Sequence, residues 1–206
     1  MKILGRANSI NVRKVLWLAE ELGLKYERAD FGRGFTPTDV PEFTKYSAFG
    51  VIPVLIDDGF VLRESNTIVR YLAAKHGADN LYPKDLEARA IIEQWMDWSI
   101  TQGYTVTLPV FHGLVTKLPP FNEPAKIEAG IKDWGKQMAL LDTHLAKHGP
   151  YLTGTEFTIA DIPVGLTINR WFSIDFKKPE LPAVAAYYDR LTERPAYKAH
   201  GRNGTP

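Results

Sequence analysis

The sequence of 206 residues contains no cysteine. This absence excludes disulfide bonds, thiolate metal sites and a catalytic cysteine supplied by the protein itself. Any sulfur chemistry that the protein performs must therefore use a sulfur atom that a substrate brings to it.

The sequence also lacks an excess of charge and any long apolar run. The 25 basic residues nearly balance the 24 acidic ones, so we predict no basic surface for nucleic acid. No apolar run approaches the roughly 20 residues that span a bilayer. The first six residues turn polar too soon for a signal peptide. We expect a cytoplasmic protein with neither a nucleic-acid nor a membrane partner, and its 45% hydrophobic content supports a substantial core.

Residues 1–76 alternate short apolar strands with amphipathic helices. This βα pattern predicts parallel strands joined by a right-handed crossover. Pro53 cannot donate a ladder hydrogen bond, so it belongs at the start of its strand, and Asp57-Asp58-Gly59 predicts a hairpin after that strand. The predicted strands cover residues 2–4, 25–30, 51–56 and 60–62, and the predicted helices cover residues 10–22 and 64–77, with a helical turn at 39–46.

The strand pattern disappears after residue 83, and the remaining pattern is helical. Helices are predicted for residues 86–104, 124–147, 158–171 and 182–193, and Pro195 is expected to end the last of them. Residues 77–83 contain glycine, Asp-Asn and proline, which are typical of a linker. We therefore predict two domains, an α/β domain at residues 1–77 and an all-α domain at residues 84–206.

Three small polar residues, Asn8, Ser9 and Asn11, crowd the start of the first helix. The simplest interpretation is N-capping, since asparagine and serine satisfy the free N–H groups of a helix start. One cap needs one such residue, so the surplus also suggests a site at which the helix start holds an anion or a thiolate. A hydroxyl donor would lower the pKa of a thiol, which is ~8.5 when unperturbed. We expect Ser9, assisted by Asn11, to do this. No histidine lies before residue 76, which disfavours a serine hydrolase.

Glu64-Ser65 stands at the start of the next helix and has the same two interpretations. The pair is an acidic residue with a cap, or it binds a zwitterionic ligand. In the second case the carboxylate pairs with an ammonium group and the helix start binds a carboxylate.

Two further residue pairs are not expected to belong to a functional site. Thr158 and Asp161 are spaced as in a capping box. His144 and His148 have a metal-binding spacing, but no third ligand accompanies them, and no metal is predicted.

These motifs together resemble the glutathione S-transferase family, in particular bacterial members related to the serine-type theta and phi classes. The resemblance covers nearly the whole chain. The residues that carry it are Ser9-Ile10-Asn11-Val12-Arg13-Lys14-Val15-Leu16, Gly50-Val51-Ile52-Pro53-Val54-Leu55, Glu64-Ser65 with Ile68 and Tyr71-Leu72, and Thr158-Ile159-Ala160-Asp161.

The resemblance implies a thioredoxin-like N-terminal domain, an all-α C-terminal domain and glutathione as co-substrate. It implies that the Ile52–Pro53 bond is cis and that the backbone of Ile52 pairs with the cysteinyl part of glutathione. Glu64 and Ser65 would hold the γ-glutamyl end. Ser9 would donate to the thiolate, with Asn11 near the sulfur. The expected reaction is conjugation of glutathione to an electrophilic, mostly apolar substrate.

The sequence departs from the family at Val51, within the glutathione-binding segment, where relatives often carry lysine or glutamine. The ligand of the glycine carboxylate must then come from elsewhere, and Arg33 and Lys45 are candidates. The family is usually homodimeric, and Trp95 and Trp98 would serve that contact. The pocket for the second substrate is expected between the domains, near Phe35, Tyr104, Phe111 and Trp171. These aromatic residues suit an apolar acceptor and suit the core equally well.

Two other functions remain open. The same bound thiol would support glutathione-dependent disulfide reduction or dehalogenation, and Asn11 is compatible with both. The fold would also serve a non-catalytic binding or scaffold protein, since fold alone does not determine function.

Overall fold

A computed structural model describes all 206 residues of the chain. Its N-terminal half contains one four-stranded sheet, in which the strands lie in the order β2-β1-β3-β4. β1 pairs with β2 in parallel and with β3 in antiparallel, and β3 pairs with β4 in antiparallel. The strands are β1 (Lys2–Leu4), β2 (Glu27–Ala29), β3 (Val54–Asp57) and β4 (Phe60–Arg63). The predicted α/β arrangement is confirmed, with a shorter second strand, and Pro53 immediately precedes β3 as expected.

Three helices accompany this sheet: α1 (Ile10–Glu21), the short α2 (Pro41–Thr44) and α3 (Ser65–Lys75). Val12, Val15 and Leu16 of α1 are buried in the main core, together with Ile68, Val69 and Leu72 of α3. Burying one such side chain contributes about 1.5–3 kcal/mol, so this shared core holds the starts of α1 and α3 in fixed positions.

The C-terminal half is entirely helical in its regular structure. Its α-helices are α4 (Leu86–Trp98), α5 (Tyr104–Val110), α6 (Pro124–His148), α7 (Asp161–Ser173), α8 (Pro182–Thr192) and α9 (Pro195–His200). The thioredoxin-like half followed by a helical half is the predicted fold. None of the helices is long and apolar enough to cross a bilayer.

The prediction that the first long helix ends at Tyr104 is wrong. The chain stays helical as far as Thr116, with π-helical segments at Ser99–Gly103 and Phe111–Thr116 on either side of α5. Pro109 lies inside α5, where a proline normally breaks a helix. Tertiary packing overrides that preference, because Pro109 faces Gly130 of α6, and Gly113 leaves room for Ile127.

α8 ends at Thr192, just before Pro195, as predicted, but the sequence did not predict the further helix α9 that begins at this proline. Pro195 occupies the first turn of α9, where a proline costs nothing because its missing N–H would be unpaired anyway. α9 buries Tyr197, whose ring packs against Trp17 of α1 with ring centroids 4.6 Å apart.

The two halves are joined around α7, whose residues 161–171 are all buried. Gly165 of α7 faces Trp17 closely enough that an added Cβ would lie 3.1 Å from its ring. The guanidinium of Arg194 donates two hydrogen bonds, of 2.8 and 2.6 Å, to the carboxylate of Glu21 at the end of α1. These contacts fix the position of α1 relative to the helical half.

The predicted structural role of Thr158 and Asp161 is confirmed. Asp161 accepts hydrogen bonds from the backbone N–H of Thr158 at 2.7 Å, from that of Leu152 at 3.1 Å and from the hydroxyl of Tyr187 at 2.7 Å. The carboxyl group is fully buried, and burial raises its pKa to about 6 against the lowering effect of these donors.

Candidate functional site

Ser9 is the N-cap residue of α1, but its hydroxyl does not act as a cap. Its backbone is extended, with φ −81° and ψ 126°, and its side chain makes no capping hydrogen bond. The carbonyl of Ser9 accepts from the N–H of Arg13 at 2.9 Å, which begins the helix. Ser9 is only 9% exposed and lines a cavity between the two halves. Its hydroxyl is therefore available to a ligand in that cavity.

Asn11, Lys14 and Ser65 form a contact network between the starts of α1 and α3. The hydroxyl of Ser65 lies 3.5 Å from the side-chain oxygen of Asn11, and the ammonium of Lys14 lies 3.4 Å from the same hydroxyl. Lys14 is fully buried, and burial together with Arg170 lowers its pKa to about 8, whereas Glu64 acts in the opposite direction. The buried ammonium of Lys14 thus lies next to Ser65, which with Glu64 is expected to hold the γ-glutamyl end of glutathione.

The segment before β3 offers free backbone groups to the cavity. The Ile52–Pro53 bond is cis, as the resemblance implied. No backbone hydrogen bond engages the N–H or the carbonyl of Ile52, and Ile52 lines the cavity together with Gly50 and Val51. Pro53 is buried behind them. An extended ligand can therefore pair with Ile52 in the manner of an added strand.

Glu64 has an unusual backbone conformation immediately before α3. Its φ is +66° and its ψ is 112°, its side chain makes no capping bond, and the residue is exposed. A residue with a side chain costs about 1–3 kcal/mol in such a conformation, and strain of this kind clusters at functional sites. Glu64 and Ser65 do not line the cavity itself, but Ser65 contacts Asn11, which does.

The cavity has a volume of about 390 Å³ and lies between the sheet side and the helical side of the molecule. No aspartate or glutamate lines it. The first half of the chain contributes Arg6, Asn8, Ser9, Ile10, Asn11, Gly32, Arg33, Thr38, Gly50, Val51 and Ile52, and the helical half contributes Tyr104, Leu108, Phe111, His112 and Arg170.

The structure brings together only part of the predicted second-substrate pocket. Tyr104 and Phe111 line the cavity, as does Arg33. Trp171 instead packs in the core against Trp134, with ring centroids 5.0 Å apart, and Phe35 is an exposed loop residue that does not line the cavity. Lys45 also lies outside the lining and is placed over the ring of Tyr46.

Sequence reasoning missed Arg6, His112 and Arg170 in the cavity lining. For Arg170 a signal existed, since a charged residue interrupts the otherwise buried, largely apolar run of α7. Arg6 lies beside the polar residues of the first helix start, and His112 lies in an apolar stretch without a second titratable residue, so neither matches a recognisable motif. Burial, with Arg33 and Arg170 nearby, lowers the pKa of His112.

Comparison with protein families matches both halves of the chain. Residues 1–74 match the model of the glutathione S-transferase N-terminal domain, and residues 124–190 match a model of the glutathione S-transferase C-terminal domain. The site residues from Ser9 to Ser65 all fall within the first match.

Individual proteins match over most of this chain, and the transferases among them match over most of their own length as well. Glutathione S-transferase GstB of Escherichia coli K12 is 38% identical over 196 residues, which is 94% of each chain. A probable elongation factor 1-gamma of Arabidopsis thaliana is 34% identical over 90% of this chain but only 45% of its own length.

Among solved structures, the theta class glutathione S-transferase of Xanthomonas axonopodis pv. citri with glutathione bound is 42% identical. It superposes with a TM-score of 0.90 over 97% of this chain and 95% of its own. A delta-class glutathione transferase of Nilaparvata lugens is 25% identical, with a TM-score of 0.88 over 99% of this chain and 94% of its own.

Proposed function

Because the chain belongs to the glutathione S-transferase family and is a glutathione transferase, we propose that Ser9 activates the thiol that this enzyme conjugates. The observation that carries the proposal is the free hydroxyl of Ser9, which stands at the N-cap of α1, faces the cavity and makes no capping bond. A hydroxyl donor and the positive end of the helix dipole both favour the thiolate over the thiol.

We assign the rest of the glutathione site to residues 1–77. The free N–H and carbonyl of Ile52 support pairing with the cysteinyl unit, at the edge formed by Val51, Ile52 and Pro53. The exposed carboxylate of Glu64 and the hydroxyl of Ser65 at the start of α3 suit the ammonium and carboxylate of the γ-glutamyl end. Asn11, in contact with Ser65, links this end to the sulfur position, and residues 84–206 contribute the other wall of the cavity.

The proposed reaction is a displacement at an electrophilic carbon. The thiolate sulfur forms a bond to that carbon, the leaving group departs with its electron pair, and the proton of the thiol passes to solvent. A free thiol is only a few per cent thiolate near neutral pH, and each unit by which its pKa falls is worth about 1.36 kcal/mol. Stabilising the thiolate therefore raises the reactive fraction directly.

Product analysis tests this function against its alternatives. The protein is incubated with glutathione and 4-(chloromethyl)benzamide, and the products are identified by mass spectrometry. We expect a thioether with loss of chloride at a rate well above the uncatalysed one. Oxidised glutathione as the main product would indicate reduction instead, and failure to bind S-methylglutathione in calorimetry would indicate a non-catalytic protein.

We further propose a homodimer that removes electrophiles in the cytoplasm, where glutathione is kept reduced. Trp95 and Trp98 are half-buried on α4 and border an open groove of about 420 Å³, and tryptophan is enriched at interfaces. Light scattering on the purified protein should give twice the mass of one chain, and Trp98→Glu should give one chain's mass.

A further inference from the structure

Arg170 is a buried cation that has no partner within the protein. The residue is 4% exposed and lines the cavity. No hydrogen bond or ion pair engages its guanidinium, and its Nε is buried without a partner. The guanidinium carbon lies 3.8 Å from the centroid of the Phe111 ring, so stacking holds the group in place. Burial lowers the pKa of Arg170 to about 10, which leaves it charged near neutral pH.

The two other buried cations of the site region, Arg13 and Lys14, each have an oxygen partner within the protein. The guanidinium of Arg13 donates to the backbone carbonyls of His200, Gly201 and Thr205. The ammonium of Lys14 reaches the hydroxyl of Ser65. An uncompensated buried charge is costly, by several kcal/mol, and Arg170 alone among the three carries this cost beside an open volume.

The cavity wall around Arg170 suits an aromatic or apolar ligand that carries one negative charge. Tyr104, Leu108 and Phe111 supply apolar surface, while Arg170 and the neighbouring His112 supply hydrogen-bond donors. No acidic residue lines the cavity to neutralise Arg170. This wall belongs to the helical half, whereas the groups proposed to hold glutathione, including its γ-glutamyl carboxylate, belong to the first half.

We propose that the acceptor subsite of this transferase selects electrophiles that carry a carboxylate, with the guanidinium of Arg170 binding that carboxylate. The inference rests on the proposed function, because it assigns the second substrate of the same site. A planar guanidinium binds a carboxylate through two parallel hydrogen bonds, and its stacking on Phe111 orients it before the substrate arrives. The substrate class is an arylalkyl or alkyl acid with a leaving group.

The bonds that form and break are the same as for a neutral substrate. With 4-(chloromethyl)benzoate, the thiolate sulfur bonds to the benzylic carbon, and the carbon–chlorine bond breaks with both electrons leaving on chloride. The carboxylate is unchanged throughout. Arg170 is a specificity residue that orients the substrate and takes no part in bond making.

A matched pair of electrophiles tests the proposal. 4-(Chloromethyl)benzoate and 4-(chloromethyl)benzamide share the reacting carbon, the leaving group and nearly the same shape, and differ in charge. We expect wild-type kcat/KM to favour the benzoate. Arg170→Met should lower kcat/KM for the benzoate by about 10- to 100-fold, as for loss of a hydrogen-bonded charge pair. The same substitution should change kcat/KM for the benzamide by less than about threefold. Arg170→Lys should restore part of the preference.

Lys132→Met is the matched control, because it removes one positive charge from an exposed position of α6 and should leave the preference unchanged. An equal loss for both electrophiles would assign Arg170 a structural role and overturn the inference. A raised KM for glutathione with both electrophiles would place Arg170 on glutathione and would also overturn it.

A binding measurement separates failure of this inference from failure of the proposed function. Calorimetry with S-(4-carboxybenzyl)glutathione and S-(4-carbamoylbenzyl)glutathione needs no turnover. We expect the wild-type protein to bind the carboxylate form more tightly and Arg170→Met to lose that difference. If conjugation is absent but this preference is present, the proposed function is wrong and the subsite assignment stands. If neither compound is preferred, the subsite assignment is overturned.

Discussion

Replacing Ser9 with alanine is expected to raise the pKa of bound glutathione by about one to two units, because a hydrogen bond to a charged group contributes about 1.5–3 kcal/mol. Below the wild-type thiol pKa, kcat/KM should fall by about 10- to 100-fold. The loss should shrink as the pH rises from the wild-type thiol pKa to the new one and disappear above it, since the thiolate then forms without the hydroxyl. The measurement is the pH dependence of kcat/KM together with ultraviolet titration of the bound thiolate.

The structure makes this substitution a clean one. The Ser9 hydroxyl makes no capping bond, so Ser9→Ala should barely change the unfolding free energy, in contrast to the ~1 kcal/mol typical of a lost cap. Ser9→Thr keeps the hydroxyl and should keep most of the activity. Asn11→Ala serves as the comparison, since Asn11 also lines the cavity. If Ser9→Ala leaves both the rate and the thiol pKa unchanged while Asn11→Ala raises that pKa, the activating role belongs to Asn11.

Replacing Asp161 with alanine should lower the unfolding free energy by about 3 kcal/mol or more. The substitution leaves the N–H groups of Thr158 and Leu152 and the hydroxyl of Tyr187 without their acceptor. Each buried unpaired donor costs about 1–3 kcal/mol, and together they exceed the gain from removing a buried carboxylate. Urea unfolding followed by circular dichroism measures the change, and Tyr187→Phe, which removes one donor only, should cost much less.

The stability that Asp161 contributes should depend on pH in a defined direction. Its pKa is raised by burial to about 6 in the folded protein, against ~3.9 in an unfolded chain. Between these values the folded state binds a proton that the unfolded state does not, so stability falls as the pH rises. The difference in unfolding free energy between wild type and Asp161→Ala should therefore widen from pH ~6 down to pH ~4 and stay constant above this range. A difference that narrows on acidification would contradict the buried-carboxyl assignment.

The local patterns of the sequence predicted most of the fold. Three features were found as expected: the helix that begins at Ile10, the proline before β3 and the contact between Thr158 and Asp161. Each depends on residues that lie close together in the chain. The predicted end of the first long helix at Tyr104 was wrong because packing opposes local preference, and Pro109 remains inside a helix because Gly130 accommodates it. Trp171 was open to two roles, pocket or core, and its packing against Trp134 places it in the core.

For the candidate site, too, the sequence predicted the residues at helix starts but not the contacts between distant segments. Ser9, Glu64 and Ser65 could be picked out from the sequence, because a helix start is indicated by residues that lie within a few positions of it. The cavity that Ser9 faces could not, since its walls come from segments up to 164 positions apart, from Arg6 to Arg170.

By itself, the sequence determined that any thiol must come from a substrate, that an α/β half precedes an all-helical half, and that polar side chains crowd the first helix start. The tertiary structure alone decided that the Ser9 hydroxyl is free, that the backbone of Ile52 is unpaired and that Arg170 stands unneutralised beside Phe111. The reason is physical: propensity and capping act through neighbours in the chain, whereas burial and the pairing of charges depend on which distant segments the folded core brings together.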